Sequence, residues 1–264
     1  MSRVKLGKPS GGVQTFSPGA MRRCGNRRAG SATVAAAATL RHALDEISPQ
    51  FTKVTGHTLK VAYGSSGNFY SQIKQGAPFD VFLSADMVFP QKLVDEKLAV
   101  APALPYAEGR LVLLLPRKSR LKPDGTLADL AAALKDGRLS KLAIANPTVA
   151  PYGTRAQEAL MHADLWAGVK PRLVIGENVG QATQFVASGA AQAGLVALSL
   201  ALAPDLAART QYALVPREWH QPLVQGMVLI QPENPAAKAL ADYLKTETAR
   251  AVLKKYGYDE VRGR

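Results

Sequence analysis

Between Tyr63 and Asp86 the chain reads YGSSGNFYSQIKQGAPFDVFLSAD, and the spacing of its apolar residues changes across a short turn. Leu59, Val61 and Tyr63 alternate with polar residues as a half-buried strand does, whereas Phe69 and Ile73 follow at helical spacing. The turn between them is Gly64-Ser65-Ser66-Gly67. A helix that starts there points unpaired N–H groups and the positive end of its dipole at the turn, and the serines add hydroxyl donors. One such turn is compatible with an ordinary N-cap serine. Recurrence of the pattern is what constrains the fold.

Val34–Ala38 reads as a short buried strand leading into the helical face Leu40, Ala43, Leu44, Ile47 and Phe51, which places Thr39 at a second junction. Leu142–Ala145 passes through Asn146-Pro147 and Pro151-Tyr152-Gly153-Thr154 into a third helical stripe. Leu173–Ile175 passes through Gly176-Glu177-Asn178-Val179-Gly180 into a fourth. Strands alternating with helices specify an α/β fold with mostly parallel sheets, in which ligands bind beyond the carboxyl ends of the strands. All four turns lie at such ends.

Two α/β stretches are separable. The first closes near Tyr106 with a Pro-rich connector, Ala101–Pro105, and gives way to a new buried strand in LVLLLP. The second runs to about Leu214, after which the apolar run Gly226–Ile230 and a final helix, capped by Asn234 with Pro235 in its first turn, return to the first. The expected organisation is a basic, disordered leader at 1–31, a first lobe of 32–108 plus 216–264, and a second lobe of 109–215. A hinged pair of lobes would bring Thr39 and Ser66 from one side against Tyr152 and Val179 from the other.

Composition narrows the function. No run approaches the ~18 apolar residues of a membrane span, and the lone Cys24 gives neither an intramolecular disulfide nor a zinc cluster. The net charge of +13 is concentrated in residues 1–31, which hold seven Lys or Arg and no acid; the remainder carries 26 basic and 20 acidic residues. Without interleaved aromatics or a recognition motif, these charges do not indicate nucleic-acid binding. The segment also lacks the apolar stretch of a standard secretory leader. His42, His57, His162 and His220 are scattered outside any nucleophile or acid–base motif, and no nucleophile elbow or phosphate-binding loop occurs, so catalysis is not expected. Arg155 is expected to face solvent, Glu177 to turn away from an anion, and Asp80 and Asp86 to cap or brace the following helix rather than bind metal.

From Thr33 to Tyr258 the chain resembles the molybdate-binding proteins of ABC importers. The motifs that carry the resemblance are VAAAATL (Val34–Leu40), the YGSSG turn with QIKQGAPFDVFLSAD (Gln72–Asp86), AIANPTVAPYG (Ala143–Gly153), GENVGQA (Gly176–Ala182), GLVALS (Gly194–Ser199) and KKYGY (Lys254–Tyr258). The resemblance implies a type II periplasmic-binding-protein clamp, two lobes joined by two crossover strands, that binds molybdate or tungstate and needs no cofactor. Thr39 and Ser66 then stand where the family donates from hydroxyl and backbone, Tyr152 donates from the second-lobe turn, and Val179 offers a backbone N–H. Ala197 stands where some members have a tyrosine, a missing donor for which Tyr152 would compensate. A monomer exported to the periplasm and partnered by a permease and an ATPase is implied as well. The alternatives are a clamp for another tetrahedral oxyanion such as sulfate, and an effector-binding regulator. A regulator needs a DNA-binding helix pair, for which 1–31 is too short and irregular.

Overall fold

The structure, a computed structural model, describes Met1 and residues 30–261. The basic stretch and Cys24 therefore lie outside the described residues, except that Ser31, expected in the leader, already belongs to the first strand. Ten strands form two five-stranded sheets. Strands β1 (Ser31–Ala37), β2 (Thr58–Gly64), β3 (Val81–Ser84), β4 (Val100–Gly109) and β10 (Leu223–Leu229) make the first, in the order β2-β1-β3-β10-β4. Strands β5 (Leu111–Pro116), β6 (Leu142–Ala145), β7 (Leu173–Gly176), β8 (Ala193–Ala197) and β9 (Thr210–Leu214) make the second, in the order β7-β6-β8-β5-β9.

Each sheet has the same plan. Three neighbouring strands pair in parallel, and one strand, β10 or β5, runs antiparallel between them and the outer strand. Register decides what meets at the ends. Ala37 of β1 stands opposite Gly64 of β2, so Thr39 and Ser66 emerge from adjacent strand ends. Ala145 of β6 stands opposite Gly176 of β7, so the turns that lead to Tyr152 and Val179 also emerge side by side.

Side-chain burial follows from the patterning. Val34, Leu40, Leu44, Ile47 and Phe51 form one core face of the first sheet with Leu240, Tyr243 and Leu253 from the C-terminal helices. Phe51 and Tyr243 meet edge to face, with ring centres 5.6 Å apart. The expected single final helix is two, Pro235–Tyr243 and Glu247–Lys255. Thr246 opens the second by accepting a hydrogen bond from the Ala249 N–H. The presumed connector 101–105 is also different: it belongs to β4. Because β4 is an edge strand, the missing N–H groups of Pro102 and Pro105 do not interrupt a central ladder.

The sheets are joined where β4 runs into β5 through Arg110 and where residues 215–222 link β9 to β10. Glu108 and Asp259 exchange backbone hydrogen bonds at 2.8 Å each, and the Arg217 guanidinium pairs with both carboxylates. This ties both crossings to the C-terminal segment.

Candidate ligand-binding cleft

The four junctions converge on one cleft between the sheets. Thr39, Ser65, Ser66, Tyr152, Asn178 and Val179 line it with small apolar residues between them. No Lys, Arg, His, Asp or Glu lines it. Thr39 lies in the short 3-10 turn Ala38–Leu40 that leads into helix Arg41–Thr55. Ser66 opens helix Ser66–Lys74, Tyr152 is the second residue of helix Pro151–His162, and Val179 opens helix Val179–Ala187. First-turn N–H groups have no intrahelical acceptor, so each start presents free donors and a partial positive charge.

The two serines divide the work. Ser65 is the cap, its Oγ accepting from the Asn68 N–H at 3.4 Å. The Oγ of Ser66 accepts from the Ala85 N–H at 3.0 Å, which leaves its own proton free to donate. Behind Ala85, the fully buried Gln225 donates to its carbonyl at 3.1 Å. Thr39 Oγ1 and the Tyr152 hydroxyl are both buried, the latter against the backbone of Arg110. Burial pushes the Tyr152 phenol well above its ordinary pKa, the neighbouring Tyr258 adding to the effect and Arg110 opposing it. The phenol is therefore neutral. Its oxygen rests against the crossing strand, 2.1 Å from where a Cβ on Gly109 would stand, so Tyr152 presents its backbone N–H at the helix start and seats its hydroxyl at the crossing. Ala197 is buried, pairs with Leu111 and does not line the cleft.

Charged neighbours are engaged elsewhere. Arg155 pairs with Glu158, Glu177 accepts from the Asn68 side chain at 3.2 Å, and Arg41 stacks on Tyr63. Asp86 accepts from the Phe89 N–H and the Ser84 hydroxyl, capping helix Val88–Asp95; burial holds its carboxyl above the usual range against those bonds and the pull of Arg155. Asp80 braces a different element from the one expected, accepting from the Thr33 N–H of β1 at 2.6 Å. Among the described residues, no group of three His, Cys, Asp or Glu could hold a metal ion, and no helix is long and apolar enough to cross a membrane.

The sides of the cleft touch. The Gly67 N–H donates to the Val149 carbonyl at 2.8 Å, and Ser199 Oγ donates to the Thr39 carbonyl at 2.9 Å. A roomier groove runs between β4 and helix Glu247–Lys255, but Arg250, Lys254, Glu247 and Glu260 line it with both signs of charge. Converging neutral donors make the smaller cleft the candidate site.

The sequence profile described as bacterial extracellular solute-binding protein matches residues 32–259. The chain belongs to this family. It is similar to the molybdate-binding protein ModA of Azotobacter vinelandii, 42% identical over 234 residues, which are 88% of this chain and 90% of that protein. ModA of Rhodobacter capsulatus is 40% identical over 233 residues, 87% of this chain and 88% of that protein. The solved structure of the Azotobacter vinelandii periplasmic molybdate-binding protein matches with a TM-score of 0.76 at 33% identity, over 88% of this chain and 100% of that one.

In this solute-binding protein, sequence reasoning missed the groups behind the donors: the Ala85 N–H, Gln225 and Ser199. Ala85 lies next to Asp86 in a motif already singled out, yet only the fold brings its N–H to Ser66. Gln225 carried a local signal, a polar residue entering the apolar run at Gly226.

Proposed function

We propose that the protein captures molybdate or tungstate between its lobes, 32–108 with 216–264 and 109–215, and delivers it to the permease and ATPase of an ABC importer. In this reading it works as an exported monomer, and Thr39, Ser66, Tyr152 and Val179 are its ligand-binding residues. The observation that carries the reading is the uncharged cleft at four helix starts, with the Thr39 hydroxyl buried in it and the proton of Ser66 free to donate. A tetrahedral dianion can be held without a paired cation when oriented dipoles replace its water shell. The hydroxyl of Ser66 and the first-turn N–H groups of Tyr152 and Val179 are such dipoles.

Specificity follows from the donors' sign. Phosphate near neutral pH keeps a proton that needs an acceptor, and a cleft of donors leaves it unmatched. Sulfate is fully ionised like molybdate, so its rejection depends on donors spaced for longer metal–oxygen bonds. Titration calorimetry with the four anions tests the reading: heat with molybdate and tungstate but not with sulfate or phosphate is expected, and no heat with the first two refutes it.

Two further results are expected. Ser66→Ala should weaken molybdate binding by about 1–3 kcal/mol through loss of a buried donor, and an unchanged affinity removes Ser66 from the site. Because no carboxylate, histidine or lysine lines the cleft and the Tyr152 phenol is held neutral, affinity should be flat from about pH 6 to pH 9. A step near pH 6.5 would place a histidine in the binding equilibrium.

A further inference from the structure

One buried hydrogen bond joins the two sheets beside the cleft through a residue that does not line it. Ser199 Oγ donates to the Thr39 carbonyl at 2.9 Å, with Ser199 3% exposed and Thr39 1% exposed. Such a bond is shielded from water. It is stronger than an exposed one, and removing the donor leaves a buried carbonyl oxygen unsatisfied. Ser199 lies in the short helix Leu198–Ala201, which follows β8 of the second sheet, whereas Thr39 follows β1 of the first.

The serine stands on a fixed base. The N–H of the preceding residue, Leu198, donates to the Arg110 carbonyl at 2.9 Å, at the crossing from β4 to β5. The C-terminal segment packs against the same helix, since a Cβ on Gly257 would lie 2.7 Å from the Leu198 side chain. The second sheet also reaches this turn at another point. A Cβ on Gly180, next to Val179, would lie 3.5 Å from the Ala38 Cβ. The turn Ala38–Leu40 is thus gripped from the second sheet at two places, one of them beside Val179.

We propose that Ser199 is a positioning residue for the oxyanion: its hydroxyl, carried by the second sheet, registers the Thr39 turn of the first against Val179 and holds the loaded cleft shut. The assignment rests on the oxyanion reading above. A peptide unit is planar, so a bond to the Thr39 carbonyl fixes the plane on which Thr39 stands, and with it a residue whose hydroxyl is buried in the cleft. The bond also joins two bodies. Moving the sheets apart breaks it, so it favours the closed arrangement over any open one. A ligand held between the sheets leaves through an open arrangement. The signature of the bond is therefore slow release rather than fast capture.

Stopped-flow kinetics and calorimetry with molybdate test this on Ser199→Ala. Affinity should fall about tenfold, nearly all of it as faster release, with the association rate within about twofold of the parent. Tungstate should show the same loss, because Ser199 does not line the cleft. The change removes one oxygen and no packing, so the ligand-free variant should remain folded in a thermal melt. Parent-like affinity, or a loss carried by slower association, overturns the assignment and leaves the oxyanion reading intact. A ligand-free variant that no longer folds overturns it too, since the bond would then serve the core. Failure of the parent protein to bind either metal oxyanion overturns that reading as well.

Discussion

Gly67→Ala is expected to cost the protein most of its grip on the ligand without unfolding either lobe. Gly67 follows Ser66 in the first turn of its helix, and a Cβ there would stand 2.8 Å from both the Cα and the carbonyl oxygen of Val149, across the cleft. These are backbone atoms. No rotamer change can move them, so the added methyl group must hold the two sides apart and stretch the 2.8 Å bond from the Gly67 N–H to Val149. Overpacking of this kind costs about 1–3 kcal/mol, which is about 5–150-fold in affinity. Within the helix itself alanine is favoured over glycine by about 0.5–1 kcal/mol, so the ligand-free protein should melt no lower than the parent. Weaker molybdate binding with an undiminished melting temperature is the expected pair of results. Parent-like affinity would show that full closure at Gly67 is not needed for binding.

Gly153→Ala should fail differently. Gly153 is the third residue of its helix, and a Cβ there would lie 2.2 Å from the Ala145 carbonyl oxygen and 2.8 Å from the carbonyl carbons of Ala145 and Asn146. The obstruction is inside one sheet-and-helix unit, at the end of β6. Relief requires lifting the helix start off the strand, which disturbs the surrounding core and moves the Tyr152 N–H together. Both melting temperature and affinity should fall, the former by the equivalent of about 1–3 kcal/mol. A variant that melts like the parent would show that the turn yields more easily than its backbone contacts imply.

The contrast between these glycines shows where the sequence was readable. The strand-to-helix junctions were visible because apolar spacing changes there within a few residues, and hydroxyls or Asn mark the change. That was enough to bring Thr39, Ser66, Tyr152 and Val179 to one end of two sheets. Elements in which local chemistry opposed the final state were misread. Pro102 and Pro105 made β4 resemble a connector, although an edge position tolerates both. Thr246 cuts the final helix at a point where the apolar stripe continues. Contacts across the cleft were invisible for another reason. Ser199 and Thr39 are 160 positions apart, and nothing near either residue specifies the other.

The placement of β4 bears on what happens when many copies share a small compartment. An outermost strand with a free row of N–H and C=O groups invites a strand from another molecule to add on, and that reaction starts fibrils and swapped oligomers. Here the outer strand has proline at 102 and 105, which carry no N–H, and its Glu108 already exchanges backbone hydrogen bonds with Asp259. Prolines and the Asp259 pairing make that side of the sheet harder to extend, and the chain gains resistance to aggregation from the same residues that hid the strand in the sequence.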